Sequence, residues 1–184
     1  MRFFKYPDKD IAIMGRRYLR SFLCACFALV LSAGTALAAT TSGLLIGNET
    51  WSGTVVLTGD VTVPSTYTLT IEPGTTIIFP VLSDDRAAGA DTQRTELIVQ
   101  GSLVAAGSED QEIVFTSGGT THAAGDWYGI RGVATSVANS LELSYCTIEY
   151  GVQGVSESVS AVAGDLVISH STIEQNQADD IRKF

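Results

Sequence analysis

The sequence predicts an all-β chain wound into a parallel β-solenoid, and two observations support that prediction. From residue 55 onward, short alternating apolar runs are separated by Gly or Asn corners, and none has the length and period of an amphipathic helix. The run of residues 141–149 also reappears 25 positions later as residues 166–174. A turn of about 25 to 28 residues containing three short strands is what a parallel β-solenoid needs.

Period-two alternation within the repeat predicts which side chains face the interior. Four side chains of the first copy are expected to lie under their counterparts in the second copy: Leu141, Leu143, Cys146 and Ile148 under Leu166, Ile168, Ser171 and Ile173. An earlier pair of similar runs, 69–74 and 97–101, starts 28 positions apart and predicts a second set of stacked turns. His170 is expected to occupy the column of Tyr145.

Residues 1–38 are predicted to be a signal peptide with a short helix. Arg16, Arg17 and Arg20 precede the apolar run 22–31, which leads through small residues to an A-x-A site that predicts cleavage after Ala38. The run is shorter than the roughly 20 residues of a membrane-spanning helix. The mature chain is therefore expected to be secreted, periplasmic or on the cell surface. A twin-arginine signal and translation from Met14 remain alternatives.

The mature chain is strongly acidic. The whole sequence has 20 acidic and 11 basic residues, and removing residues 1–38 leaves 18 and 5, a net charge of −13. This charge argues against nucleic acid and acidic membrane surfaces as partners. Because Cys24 and Cys26 leave with the signal peptide, Cys146 has no partner for an intramolecular disulfide, and we expect it to be a buried filler of the core.

Three regions follow the signal peptide. Residues 39–54 are assigned to an N-terminal cap, with Trp51 covering the open end, and residues 55–184 to a β-helix of about five to six turns. Alternation fails in three segments, 80–95, 117–126 and 134–140, which predicts surface loops where a ligand would be met. Less than a full turn follows Glu174, so we expect a C-terminally truncated helix whose exposed edge allows self-association.

Six short runs of the sequence, taken in order, carry a resemblance to a known family. They are Gly59-Asp-Val-Thr-Val63, Leu69-Thr-Ile-Glu-Pro-Gly-Thr75, Val99-Gln-Gly-Ser-Leu-Val-Ala-Ala-Gly107, Ile113-Val-Phe-Thr-Ser117, Gly125-Asp-Trp-Tyr-Gly-Ile130 and Cys146-Thr-Ile-Glu-Tyr-Gly151. With these runs the chain resembles bacterial right-handed parallel β-helix repeat proteins of the pectin-lyase-like superfamily, and looks like the N-terminal portion of one. The resemblance implies a right-handed helix and covers nearly all of the mature chain. That superfamily contains polysaccharide lyases and hydrolases as well as secreted surface proteins of unassigned activity.

Candidate ligand-binding residues are few. Asp84, Asp85 and Asp91 lie in one loop with two arginines and are candidate calcium ligands, because calcium takes several hard oxygens from flexible loops. Their spacing matches no known calcium motif, so a solvated acidic loop without a cofactor is the favoured interpretation. Trp127 and Tyr128 are candidate glycan contacts through ring stacking, although packing of Trp127 in the core is favoured.

The sequence offers no convincing catalytic set. Glu149 and Glu174 share one column, as a pair of acids for glycoside hydrolysis would, but outward solvated positions are favoured. His122 and His170 have no neighbour at a ligand spacing. The favoured function is thus a non-catalytic exported scaffold or binding module, with a polysaccharide or another surface protein as partner. The alternative is a polysaccharide lyase or glycoside hydrolase whose catalytic turns are missing or lie beyond residue 184.

Overall fold

The computed structural model describes residues 39–158, 164–178 and 180–183, so the predicted signal peptide lies outside the described residues. Every element in the described part of the chain is a short strand. In chain order the strands are β1 (Gly43–Leu44), β2 (Glu49–Trp51), β3 (Thr54–Val56), β4 (Val61–Val63), β5 (Thr68–Ile71), β6 (Thr76–Phe79), β7 (Glu96–Val99), β8 (Ser102–Ala106), β9 (Ile113–Ser117), β10 (Gly129–Val133), β11 (Ser140–Ser144), β12 (Cys146–Glu149), β13 (Val155–Ser158), β14 (Asp165–Ser169), β15 (Thr172–Glu174) and β16 (Ile181–Lys183).

Every third strand belongs to the same parallel sheet. Sheet A has the order β1-β4-β7-β10-β13-β16, sheet B runs from β2 to β14, and sheet C runs from β3 to β15. Each turn of chain therefore contributes one strand to each sheet, as the sequence predicted. The described residues make five such turns and a further strand of sheet A, and the predicted right-handed parallel β-helix is confirmed.

The core consists of columns of inward side chains that stack from turn to turn. Leu141 pairs with Leu166 in the parallel register, and Ile148 pairs with Ile173, both as predicted. Leu141, Leu143 and Ile148 have no exposed surface. Because successive strands are about 4.8 Å apart, equivalent side chains touch directly along each column. Burial of these columns supplies the main driving force for the fold.

The second predicted register is wrong. Leu69 pairs with Leu103 in sheet B, whereas Leu97 pairs with Val61 in sheet A. The physical reason is the 80–95 loop, which lies between β6 and β7 and lengthens that turn. A fixed period of 28 residues, applied across this loop, therefore places Leu97 one sheet away from its observed position.

The corner between sheets B and C contains a single residue in a left-handed conformation. Tyr145 and His170 occupy this corner in successive turns, each with a φ of 50°. Their rings stack with centroids 4.7 Å apart and an interplanar angle of 7°. The predicted equivalence of the two positions is thereby confirmed.

The segment predicted as a cap, residues 39–54, contains β1, β2 and the first residue of β3, and these strands pair in parallel with the next turn. It is therefore built as the first turn of the helix. Trp51 is 1 % exposed, pairs in register with Ile71, and donates from Nε1 to Glu49. Burial tends to raise the pKa of Glu49, but hydrogen bonds from Thr40 and Trp51 outweigh that effect and lower it.

Cys146 is buried in the core column between β9 and the last turn, as predicted. Burial raises the pKa of its thiol to about 12, so the side chain stays protonated and acts as a small apolar residue. In the part of the chain that the structure describes, no helix has the length and apolar character needed to cross a membrane.

Candidate functional site: the groove on sheet A

A groove of about 640 Å³ lies on the outer face of sheet A. The sheet forms its floor and the 80–95 loop forms one wall, so we call it the sheet A groove. Its lining contains apolar side chains, hydroxyl and amide groups, one carboxyl group and two guanidinium groups: Ser42, Gly43, Leu44, Asp60, Thr62, Arg86, Ala88, Gly89, Ile98, Gln100, Arg131 and Val133.

The floor consists of the outward-facing side chains of the sheet A strands. Thr62, Ile98 and Arg131 pair in register on β4, β7 and β10, and they alternate with inward core residues. Ile98 is 6 % exposed although it faces outward, because the loop covers that part of the sheet. The floor is therefore rigid, since its backbone is hydrogen-bonded on both sides and its inner face is packed.

Contacts with the helix hold the wall at several points. The Asp85 amide donates to the Thr58 carbonyl at 3.1 Å, and the Leu82 amide donates to the Asp126 carbonyl at 2.8 Å. Arg86 donates from Nε to Ser42 Oγ at 3.2 Å. Arg94 donates from Nε to the Gly125 carbonyl at 2.7 Å. The 80–95 loop thus bridges neighbouring turns on both sides of the groove.

Glu96 lies beneath this wall and has no exposed surface. One carboxylate oxygen accepts hydrogen bonds from the Ala90 and Asp91 amides, and the other pairs with Arg131. The Arg131 guanidinium carbon also lies 5.9 Å from the centre of the Tyr128 ring, within the range of a cation–π contact. Arg131 therefore neutralises a buried carboxylate at the floor of the groove.

Asp60 connects the floor to the wall. Its amide donates to Asp84 Oδ1 at 2.9 Å, and its Oδ1 accepts from the Glu96 amide at 2.7 Å. The residue is 1 % exposed, and its Oδ2 has no hydrogen-bond donor within the described structure. Burial is the largest cause of a rise in the pKa of Asp60 to about 7, and the nearby Asp84 and Glu96 raise it further. The carboxyl group is therefore largely protonated below neutral pH.

Replacing Asp60 with asparagine is expected to remove part of the pH dependence of stability. A folded-state pKa of about 7, above the ordinary value of 3.8, means that the native state binds the proton more tightly. Stability contributed by that proton is complete below pH 4 and is lost as the pH rises to 7. Asp60→Asn should match the parent protein near pH 4.5 and be more stable at pH 8, on the order of 3 kcal/mol. Urea unfolding at both pH values measures this difference.

The exposed Asp110 provides a matched control. Asp110→Asn should shift stability equally at the two pH values. If Asp60→Asn also shows the same difference from the parent protein at pH 4.5 and pH 8, the raised pKa is wrong.

The structure does not join the three candidate calcium ligands in one site. Asp84 accepts from the amides of Asp60 and Arg86, and Asp85 is exposed. Asp91 forms an ion pair with Arg94 at 2.8 Å. Burial tends to raise the pKa of Asp91, but hydrogen bonds from the Gln93 amide and Arg94 lower it. Among the described residues, no group of three or more His, Cys, Asp or Glu side chains is placed to hold a metal ion.

The two candidate glycan contacts have different environments. Trp127 has no exposed surface, stacks on Phe79 with ring centroids 3.8 Å apart, and donates from Nε1 to the Glu149 carbonyl at 2.8 Å. Trp127 therefore belongs to the core and offers no ring face to a sugar. Tyr128 is half-buried next to Arg131 at the edge of the sheet A groove.

Glu149 and Glu174 pair in register on the outer face of sheet C. Both therefore face outward, as the sequence analysis favoured. Glu149 accepts from Thr116 Oγ1 at 2.8 Å. His122 is exposed, with its ring 4.8 Å from that of Tyr150. Neither histidine belongs to the sheet A groove.

The sequence analysis missed Asp60, Glu96 and Arg131 as site residues. The clue was an acidic residue at the beginning of each of two strands that are otherwise largely apolar: Asp60 directly before β4 and Glu96 as the first residue of β7. A charged residue at the beginning of a strand is usually exposed to solvent, so the sequence pattern alone could not show that Asp60 and Glu96 are buried.

Residues 46–162 match the family model of the pectate-lyase-like β-helix domain. The match covers more than half of the chain, so this chain belongs to the pectate-lyase-like β-helix domain family. No curated protein and no solved structure matches the chain significantly.

Proposed function

We propose that this chain is a non-catalytic binding module of an exported protein, and that the sheet A groove holds a segment of a glycan. The observation that carries the proposal is the groove itself, because its volume of about 640 Å³ lies within the range of ligand pockets. The description of the family as pectate-lyase-like supports a carbohydrate as the ligand class. The apolar run and A-x-A site in residues 1–38 support export.

The chemistry of the lining suits a sugar. Leu44, Ile98 and Val133 provide an apolar floor for the C–H faces of a sugar ring, and Gln100 provides an amide for hydroxyl groups. Arg86 donates to the Oγ and carbonyl oxygen of Ser42, which are neutral acceptors. Its guanidinium charge is therefore available to an oxygen of the ligand at the rim.

The proposal places the nearby carboxylates in structural roles. Glu96 is neutralised by Arg131 and holds two amides of the wall, and Asp84 holds two further amides. Because both carboxyl groups hold backbone amides of the wall and floor, they are poorly placed to act on a substrate. This is why binding without turnover is the favoured function.

Filling the groove is expected to abolish glycan binding. Thr62 lies at the centre of the floor, so the indole of Thr62→Trp would occupy the space of the ligand. We expect a loss of affinity of at least about 100-fold, which corresponds to about 2.7 kcal/mol. Binding is measured by screening soluble polysaccharides and then titrating the best ligand into the purified chain by calorimetry.

Thr76→Trp is the matched control. Thr76 is also half-buried and faces outward from the centre of a sheet, but it lies on sheet C, away from the groove. It should leave affinity unchanged. Equal affinity of both variants for the ligand would place the binding site elsewhere.

A second candidate function is that of a carbohydrate-active enzyme, favoured by one observation. Asp60 lines the groove with a pKa of about 7, and a group that titrates near the working pH is suited to general acid–base catalysis. Incubating the chain with acidic and neutral polysaccharides, with and without calcium, tests for turnover. Turnover that Asp60→Asn abolishes would replace the binding proposal with this one.

A further inference from the structure

Two carboxyl groups meet where the wall of the sheet A groove joins its floor. Asp60 belongs to the floor side and Asp84 to the 80–95 loop, and the hydrogen bond of 2.9 Å from the Asp60 amide to Asp84 Oδ1 brings the two residues together. The remaining oxygen of each, Asp60 Oδ2 and Asp84 Oδ2, is buried and has no donor within the described structure. Buried carboxylate oxygens without a donor are costly, so this pair needs either a proton or a cation.

The other oxygens of the pair are already used. Asp60 Oδ1 accepts from the Glu96 amide, and Asp84 Oδ1 accepts from the amides of Asp60 and Arg86. A proton between the two Oδ2 atoms would complete the hydrogen bonding of both carboxyl groups. A cation fits less well, because no third carboxylate or histidine in the described residues joins the pair in a metal-binding arrangement.

The charged groups around the pair do not neutralise it. On β7, Glu96 is paired with Arg131 of β10 and adds negative charge next to Asp60. On the loop, Asp85 is exposed and its amide donates to Thr58, and the guanidinium of Arg86 donates to Ser42. Arg131 is paired with Glu96 and the Arg86 guanidinium is held against Ser42, so neither forms an ion pair with Asp60 or Asp84. Ionisation of both carboxyl groups would therefore leave two adjacent negative charges.

We propose that Asp60 and Asp84 share one proton, and that this proton latches the 80–95 loop to the helix and thereby shapes the sheet A groove. The link to ligand binding rests on the proposed function of the groove, whereas the latch itself does not. In the latched state, one carboxyl group donates its O–H to Oδ2 of the other. Release of the proton to solvent leaves two carboxylates that repel each other and loosen the wall.

The pH range of the latch follows from the carboxyl group that holds the proton. The pKa of Asp60 is about 7 in the folded protein and 3.8 when free of these contacts. Opening of the loop should therefore become easier as the pH rises from about 4 to about 7, and change little above that. A glycan that needs the wall in place should bind more tightly in mildly acidic solution.

Hydrogen exchange of the full chain, followed by mass spectrometry with EDTA present, tests the latch without any ligand. The amides of Asp85, Ala90 and Asp91 donate to the helix and report on the closed wall. After correction for intrinsic exchange rates, protection of residues 82–94 should fall at least about tenfold between pH 5 and pH 7.5. Protection of β5 and β8, which belong to sheet B, should stay constant. Protection of residues 82–94 that does not change with pH would overturn the proposal.

Amide substitutions test the shared proton. Asp60→Asn and Asp84→Asn each place an N–H donor opposite the remaining carboxylate, so each single variant should keep the wall protected across the whole pH range. The double variant places two NH₂ groups face to face. Its protection of residues 82–94 should be at least about tenfold lower than that of either single variant at every pH. Asp110→Asn should behave as the parent protein.

The opposite results would overturn the latch. These are a single variant that keeps the pH dependence of the parent, or a double variant as protected as the singles. If calcium chloride restores protection of residues 82–94 at pH 7.5, a cation rather than a proton holds the two carboxyl groups together. If a variant does not fold, the pH profile of the parent protein still decides the question. Failure of Thr62→Trp to affect glycan binding would contradict the proposed function alone, since the exchange experiment contains no ligand.

Discussion

Replacing Trp127 with alanine is expected to lower the free energy of unfolding by about 3 to 5 kcal/mol. The side chain is fully buried and stacks on Phe79 with ring centroids 3.8 Å apart. Its removal would leave a large cavity beside Phe79 in the core. It would also remove the indole donor to the part-buried Glu149 carbonyl, which now accepts at 2.8 Å, and loss of that hydrogen bond adds to the cost.

Tyr128→Ala is the natural control, because the neighbouring aromatic residue is half-buried and contacts Arg131 at the surface. We expect it to cost about 1 kcal/mol, the scale of a partly exposed cation–π contact. Urea unfolding followed by circular dichroism measures both variants. Equal costs for the two substitutions would show that Trp127 is not part of the core, and the role of Trp127 as a glycan contact would have to be reconsidered.

Adding a single methyl group at Gly101 is expected to destabilise the protein about as much as Trp127→Ala. Gly101 lies in the corner between β7 and β8, directly over the preceding turn. A Cβ atom there would lie 2.2 Å from the Pro64 carbonyl oxygen and 2.3 Å from the Tyr67 carbonyl oxygen. Both are backbone atoms, so neither can rotate away. The turns would have to separate, and the amide of Gly101 would lose its bond to the Val63 carbonyl at 3.1 Å.

We expect Gly101→Ala to destabilise the protein by about 3 kcal/mol or more, at the upper end of the cost of overpacking. Gly47→Ala supplies the control, because a Cβ at Gly47 would meet no atom within 4 Å. That change should be neutral or slightly stabilising, since alanine restricts the unfolded chain. Thermal unfolding of the two variants side by side measures the contrast. A Gly101→Ala protein as stable as the parent would show that the turns are not stacked at this distance.

The predicted sites and the observed groove overlap in one loop. The sequence analysis chose the 80–95 loop as a place to meet a ligand, and this loop does form the wall of the groove. Within it, Asp84 was chosen as a calcium candidate, but the structure gives it backbone amides and the carboxyl group of Asp60 as neighbours. Asp60 lies 24 positions earlier in the chain. No local pattern could connect the two residues.

The sequence by itself determined the kind of fold and the inward columns after the longest loop. Alternation of side chains is a local property of a strand, and a one-residue slip would move every apolar side chain to the solvent face. The repeat from Leu141 to Leu166 therefore specified its own register, which the structure confirms. It did not specify the register across the 80–95 loop, where Leu97 pairs with Val61.

Tertiary structure alone decided the register across that loop and the chemistry of the groove. A loop of arbitrary length erases the sequence period, so the strand that follows it is positioned by packing against the previous turn. The pKa of Asp60 likewise depends on burial beneath the loop and on Asp84 and Glu96, which contact it from 24 and 36 positions away in sequence. Electrostatic energies depend on the distances between charges and on their desolvation, and both are fixed only when the β-helix has folded.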